Sequence, residues 1–549
     1  MKITREGILV TSLLLLGAII RYFFIFHWHP IESYIFSDAG GYFSNGQDIL
    51  AGRWHPYIAF QPIGMPLVVA ASLYLTSGLK LVSWLHLITS VLCLYLIWRI
   101  ARNLTRSKLA LVCLAISTFH YPFLFESGIL LSESLFTFFI ALLIAILSER
   151  KESLSSARSF LAGIVFFMSM LFKGNLVFFL PLILIWNYWV YKKAKPLLIL
   201  VSTILMLSLC HGLFMGKAIG KYQFSASNGG FNFMVGKCEW KGNRDINGYA
   251  WMPPLFVQLN ENSTKTWNEP FTNSSFFLAQ GFRCIKDNPL ILAESLRYIP
   301  YLFINNQLWP AQNTKAEYKK LASNYTLFFA FLTLPGIMVG LLLSLKDPRS
   351  QHFALFFLPA LSLFILAWLF FGEMRFRVPF DVIFIPLAIY GWDFILSSTL
   401  NMRPETRFSV MMAATAIGFT FTVPYLIAGN IPQLPSIERV DIKKLMDVVQ
   451  SGPWDAPDNI QFSKELEIVL EREMSIREID LSVDNNDLYR IEVLTEGKYI
   501  QVMDIHPSSM PGMVRHIYQL KQPTPKTDRV RITAIFGDGK YSLGHFIVK

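Results

Sequence analysis

Charged residues are scarce in this chain. Lys, Arg, Asp and Glu make up 16% of its 549 residues, against 53% hydrophobic and 15% aromatic. An ordinary soluble domain has about a quarter charged residues, and the mean hydropathy here is +0.41. That balance excludes an ordinary soluble enzyme and points to a polytopic membrane protein. No soluble segment presents a basic face, so the net charge of +11 does not indicate a nucleic-acid partner. The first apolar run lacks a small-residue cleavage site and is too long for a removable signal peptide. No internal repeat of the kind that marks many transporters is found. Cysteine is rare as well, with 5 in the chain.

What is abundant is apolar sequence in lengths that suit a bilayer, which needs roughly 20 residues per helix. Eleven runs qualify: 8–26, 79–100, 109–125, 130–147, 160–172, 176–191, 197–215, 325–345, 353–371, 378–396 and 408–428. The expected fold class is thus a polytopic α-helical membrane protein of about eleven transmembrane helices. Every second connection is basic, with Arg99, Arg102, Arg106 and Lys108 in one and Lys192, Lys193 and Lys195 in another. By the positive-inside rule these connections are cytoplasmic, the N-terminus with them, and the C-terminus is periplasmic or extracellular. A multi-pass cell membrane, most simply a bacterial inner membrane, is the expected location.

The outer segments then include 27–78 and 216–324. The first contains "IFSDAGGYFSNGQDILAG", which places Asp38 in a Gly-rich stretch expected to be a loop at the membrane surface. "FESGILLSESLF" spaces Glu126 and Glu133 seven apart, on one face if the stretch is a helix, at the start of the fourth span. Acids at that depth usually face a cavity or a partner. "FGEMRFRVPFD" sets Glu373, Arg375, Arg377 and Asp381 together at the outer end of the tenth span. Two arginines there can hold a phosphate in a forked grip. Each residue also has a structural alternative. Arg377 can snorkel or pair with Glu373 or Asp381, Glu133 can serve a buried polar partner, and Asp38 can bond the N–H groups of its own turn.

These stretches, taken in order, resemble the GT-C superfamily of membrane glycosyltransferases. Asp38 with Tyr42, followed by "QPIGMPL", is similar to that family's first outer segment. "LLSESLF", "FKGNLVFFLPLIL", "SNGGFNFMVG" and "RFRVPFDVIFIPLAIYG" are similar to later elements, so the resemblance covers roughly residues 1–425. Protein O-mannosyltransferases, aminoarabinose transferases and the galacturonic-acid-transferase-like group are the nearest in pattern. The resemblance implies inverting transfer of a sugar from a polyprenyl-phosphate donor to an extracytoplasmic acceptor, which is a glycan, lipid or protein of the cell envelope. It gives Asp38 the role of general base and makes Tyr42, Gln61, Glu126, Glu133, Asn232, Arg375 and Arg377 candidate substrate-binding residues.

The departures limit what is carried over. Ala39 stands where many O-mannosyltransferases have a second acid, and Gln61 where aminoarabinose transferases have a Lys. Neither sugar is therefore assigned. The oligosaccharyltransferase branch holds a divalent metal with paired acidic motifs. Asp38 and the distant Asp48 make a poor ligand pattern, so no metal or other cofactor is expected, Glu126 and Glu133 being the acids able to supplement Asp38.

Cys238 and Cys284 are the two cysteines outside the apolar runs and are disulfide candidates in an oxidising compartment. Residues 287–309 read as an amphipathic helix on the outer surface. After residue 429 the apolar spans cease. "EIDLSV", "LYRIEVLTEG" and "KYIQVMDIHP" alternate with period two, so 430–549 is expected to form a small extracytoplasmic β-domain, with a hairpin at "GDGKY". The rival class is a transporter or flippase of lipid-linked glycans, which shares the polytopic architecture.

Overall fold

In the computed structural model, residues 5–35, 38–105, 107–148, 155–237, 273–287, 289–304, 329, 333–345, 357–400, 455, 459–484, 487–505, 513–520, 522–536, 539 and 541–549 are described. The chain comprises a helical body followed by a β-domain; the boundary expected at residue 430 lies outside the described residues. The first eleven α-helices are α1 (Arg5–Phe23), α2 (Asp38–Leu50), α3 (Gly64–Thr76), α4 (Lys80–Leu104), α5 (Ser107–Thr118), α6 (Tyr121–Ser127), α7 (Glu133–Leu147), α8 (Ser156–Phe172), α9 (Phe179–Tyr191), α10 (Ala194–Ile219) and α11 (Asn228–Lys237).

Among the described residues four helical stretches are long and apolar enough to cross a bilayer: Arg5–Ser33, Lys80–Asn103, Ala194–Ile219 and Met374–Ser397. The pair α5 and α6, bent by 50°, makes a fifth if it is one broken span. Shorter apolar helices, including Glu133–Leu147, Ser156–Phe172, Thr333–Leu345 and Leu358–Leu369, coincide with other expected runs. The run 408–428 lies outside the described residues.

The first outer segment differs from the expectation. Residues 27–78 are not an open loop, because α2 and the apolar α3 occupy much of that segment. Glycine is a poor helix former, which is why the stretch after Asp38 read as a loop. Burial overrides that preference: Ala39, Gly40, Gly41, Tyr42, Phe43, Ser44, Asn45 and Gly46 of α2 are all buried. A methyl at Gly46 would come within 2.5 Å of Val69 on α3, so the small residue sets how closely the two helices cross. Asp38 opens α2, where the N-terminal N–H groups favour a negative charge.

Two further expectations fail for similar reasons. Glu126 and Glu133 do not share a helical face, since α6 ends at Ser127 and α7 begins at Glu133. The stretch expected as one outer helix is divided into Ile291–Glu294, a 3-10 turn Ser295–Arg297 and Tyr298–Ile304, with Ser274–Asp287 preceding it. Pro289 lies in the turn before Ile291, and Pro300, in the first turn of Tyr298–Ile304, lacks the N–H that would bond back into the 3-10 turn. Residues 288 and 305–309 of the expected helix lie outside the described residues.

The β-domain is two four-stranded antiparallel sheets, ordered β1-β8-β3-β6 and β2-β7-β4-β5. The strands are β1 (Ile460–Phe462), β2 (Glu465–Met474), β3 (Glu478–Asp484), β4 (Leu488–Thr495), β5 (Lys498–Ile505), β6 (Met513–Gln519), β7 (Thr527–Phe536) and β8 (Tyr541–Val548). Ile479, Leu481 and Val483 of one sheet meet Ile491, Val493 and Ile532 of the other in a shared core, as sheet alternation requires in a sandwich. The strands on either side of "GDGKY", β7 and β8, belong to different sheets rather than pairing as the expected hairpin; residues 537, 538 and 540 lie outside the described residues. The two-residue hairpin lies instead between β4 and β5, where Glu496 and Gly497 have φ of 52° and 76°, the left-handed pair that a type I′ turn needs. Leu488 and Ile535 of this domain join the apolar cluster of the helical body.

Candidate functional site

Asp38 opens α2, Glu133 opens α7, Lys173 follows α8, and Arg375 lies in a short helical turn, Met374–Arg377, before the helix Asp381–Leu400. Helix ends leave backbone groups unpaired and gather polar side chains, and these four ends converge on one cavity. Its volume is about 410 Å³, and its polar lining includes Asp38, Tyr42, Gln61, Glu133, Lys173 and Arg375. Phe172, Phe178, Phe231, Phe370 and Phe376, with Leu366, belong to its apolar lining. One side is closed by α11, whose start is tied down where Ser227 and Asn228 donate backbone hydrogen bonds to Ala59 and Phe60 at 2.8 and 3.1 Å.

The polar wall is a set of ion pairs. Arg375 Nη1 donates to Asp38 Oδ2 at 2.9 Å, and Arg375 Nε lies 2.8 Å from Glu373 Oε2. One guanidinium thus sits between two carboxylates. Lys173 Nζ donates to Glu133 Oε1 at 2.7 Å. The Asp38 side chain is 34% exposed, while those of Glu133 and Glu373 are 4% and 7% exposed. Asp38 is therefore the acid of this group most open to an incoming molecule.

Neutral donors and acceptors complete the wall. Gln61 Nε2 reaches Asp38 Oδ1 at 3.4 Å, while the buried Gln61 Oε1 accepts no hydrogen bond. Tyr42 donates to Ser132 Oγ at 3.3 Å, and Ser132 donates in turn to Glu133 Oε2 at 3.3 Å. Burial, then the nearby Glu133 and Asp38 carboxylates, push the Tyr42 phenol well above its ordinary value, so it keeps its proton. Asn232 lines the cavity from α11.

The structure thus gathers Asp38, Tyr42, Gln61, Glu133, Asn232 and Arg375 into one cavity and leaves two sequence candidates outside its lining. Arg377 is buried and donates to Asp381 Oδ2 at 3.1 Å, while His120 Nε2 meets the same oxygen at 2.9 Å. The Arg377 guanidinium also lies 4.2 Å from the Phe329 ring centroid, a cation–π stack rather than a phosphate grip. Glu126 is buried, and its Oε1 has no hydrogen-bond partner. Cys284 is disulfide-bonded; Cys238, its expected partner, lies outside the described residues.

Lys173 is the residue that sequence reading missed. Its signal was available: a lone Lys at an end of an apolar run that the alternation of basic connections leads one to expect outside stands against the positive-inside pattern. Among the described residues, no three His, Cys, Asp or Glu side chains cluster closely enough to hold a metal ion.

No protein-family model matches the sequence, and no curated protein matches it. Solved structures with a similar backbone include the Archaeoglobus fulgidus oligosaccharyltransferase in the apo form, at TM-score 0.41 and 13% identity over 78% of this chain and 61% of that one. Another is the archaeal oligosaccharyltransferase AglB from Archaeoglobus fulgidus in complex with an inhibitory peptide and a dolichol-phosphate, at 0.37 and 12% over 76% and 55%. A third is apo ArnT from Cupriavidus metallidurans, at 0.35 and 10% over 82% and 92%. The chain therefore spans about half to three-fifths of the archaeal chains. Likeness at these scores carries no chemistry, which has to come from the cavity itself.

Proposed function

We propose that this chain is an inverting membrane glycosyltransferase that moves one sugar from a polyprenyl-phosphate donor to an acceptor on the extracytoplasmic side. The observation that carries the reading is the juxtaposition of the most open carboxylate, Asp38, with Arg375 at 2.9 Å in an aromatic-walled cavity. A base and an anion-binding group face the same space. The acceptor hydroxyl attacks the anomeric carbon and gives its proton to Asp38. The bond from the anomeric carbon to the phosphate oxygen breaks, and its electron pair stays on that oxygen. The phosphate gains one negative charge, which Arg375 stabilises. Gln61 steadies the Asp38 carboxylate and offers its free Oε1 to a sugar hydroxyl; Tyr42 and Asn232 add further contacts. The phenylalanine wall suits the first units of a prenyl chain, whose tail remains in the bilayer.

The test uses the full chain purified in detergent with a radiolabelled polyprenyl-phosphate sugar and an extract of envelope acceptors. Donor consumption by the parent, lost in Asp38→Asn, supports the reading. Intact donor with both proteins sinks it and favours the transporter alternative, to be followed by movement of the same lipid across vesicles.

A further inference from the structure

The transfer step above uses one cation, yet the described lining of the cavity contains two. Lys173 Nζ sits 2.7 Å from Glu133 Oε1, and its side chain is 12% exposed. Lys173 Nζ and the Arg375 guanidinium carbon lie 5.0 and 5.2 Å from the centroid of one ring, that of Phe376. All three residues line the cavity. The aromatic ring therefore spaces two positive groups around a common region, and each group has a carboxylate beside it: Glu133 for Lys173, Asp38 and Glu373 for Arg375.

We propose that Lys173 is the second arm of an anion clamp, exchanging Glu133 for an oxygen of the donor phosphate as that phosphate departs. The proposal rests on the glycosyl-transfer reading. Several observations converge on it. A buried ammonium costs several kcal/mol in desolvation unless an anion answers it, and Glu133 supplies that anion in the resting wall. The carboxylate accepts Ser132 as well as Lys173, so it retains a partner when the ammonium turns away. The lysine stem is flexible and its charge compact, which suits a group that changes partner during a step, whereas the Arg375 fork is fixed between two acids.

Charge also selects the ligand. Among the described residues, the lining acids Asp38 and Glu133, with Glu373 behind Arg375, set against Lys173 and Arg375 give three negative groups to two positive ones. A singly charged phosphodiester enters that wall at less electrostatic cost than a pyrophosphate with a further negative charge. The clamp is therefore expected to prefer a monophosphate-linked donor, whose leaving group becomes doubly charged only as the bond breaks.

Binding of farnesyl phosphate and farnesyl pyrophosphate to the full chain in detergent, measured by calorimetry without any acceptor, separates the two layers. The parent is expected to bind the monophosphate more tightly than the pyrophosphate. Lys173→Met is expected to weaken the monophosphate by about tenfold or more, a loss of about 1.4 kcal/mol, and Lys173→Arg by less. Where Lys173→Met fails to fold because Glu133 is left unpaired, the double variant K173M/E133Q removes both charges and its loss of binding is read instead. Equal monophosphate binding by parent and variant overturns the Lys173 assignment and leaves the transfer reading standing. No prenyl-phosphate binding by the parent overturns both, and tighter pyrophosphate binding overturns the ligand preference.

Discussion

Arg375 and Arg377 are two residues apart, and each pairs with an aspartate at hydrogen-bond distance. Their surroundings differ. The Arg375–Asp38 pair lines a cavity, with side chains 16% and 34% exposed; the Arg377–Asp381 pair is sealed, at 1% and 0%. A second cation in the first region, Lys173, faces the same cavity, whereas the second group in the other, His120, is itself fully enclosed. Equivalent chemistry thus stands once on the open wall of a cavity and once sealed at a break between helices. His120 stands just before α6 and Asp381 begins the last described helix of the body, so the sealed cluster joins two chain breaks behind the cavity wall. It positions the turn from which Arg375 projects.

The largest effect that tests this contrast is on folding. Arg377→Ala leaves Asp381 buried with only His120 to answer it, and breaking a buried pair in this way costs about 3–5 kcal/mol. Thermal unfolding in detergent should show the loss, and a parent-like melting curve would remove the structural role from the sealed cluster. Asp381→Asn should act in the same direction, less severely because the amide still bonds His120.

Asp38→Asn reverses the pattern. The amide keeps the size of the side chain but not its basicity, so transfer should fall by about a hundredfold or more with the melting curve nearly unchanged. Parental turnover would make Asp38 a helix-start residue and pass the base role to Glu133, the other acid on the cavity wall. Arg375→Ala belongs between these cases: donor affinity should drop by about tenfold, the scale of one charge-assisted contact of about 1.4 kcal/mol, read as a rise in donor KM. A fall in stability without a change in KM would move Arg375 into the class of Arg377.

The Arg377–Asp381 pair stood among the alternatives the sequence offered, four residues apart; the Arg375–Asp38 pair, 337 residues apart, did not. The acids and arginines stood out as rare charges in apolar surroundings, and their common side followed from the alternation of basic loops. Which arginine faced inward depended on where a four-residue turn stops and the helix Asp381–Leu400 begins, and spacing does not encode that rotation. Asp38 was singled out for its position, yet its Gly-rich stretch was read as a loop because local propensity disfavours a helix there; contact with α3 decided otherwise. Glu126 and Glu133 suited a common face until the break before Ser132 separated them. The β-alternation was readable, but which strands pair was not, since "TEGK" and "GDGKY" are both plausible turns and only the first joins neighbouring strands of one sheet.

The smallest expected effect concerns the wall formed by α11. Lys237 is buried and donates to Ser295 Oγ at 2.7 Å and to the Trp368 carbonyl. Its removal from water lowers the ammonium from the ordinary 10.5 to about 8. The sign follows from linkage. The folded chain releases this proton more readily than the unfolded chain, so below about 8 both states hold the proton and the burial cost is present in full. Between about 8 and 10.5 the unfolded state binds more protons, and stability rises with pH in that window. Above it the cost is gone. In Lys237→Met the group that titrates is absent, so the gain on going from pH 8 to pH 10 should be smaller than in the parent, by less than about 2 kcal/mol given about 1.4 kcal/mol per pKa unit. Melting of both proteins across that range measures the difference. A parallel pH dependence would mean that the two hydrogen bonds hold Lys237 charged in the fold, and α11 would then be pinned by an ammonium throughout the working range.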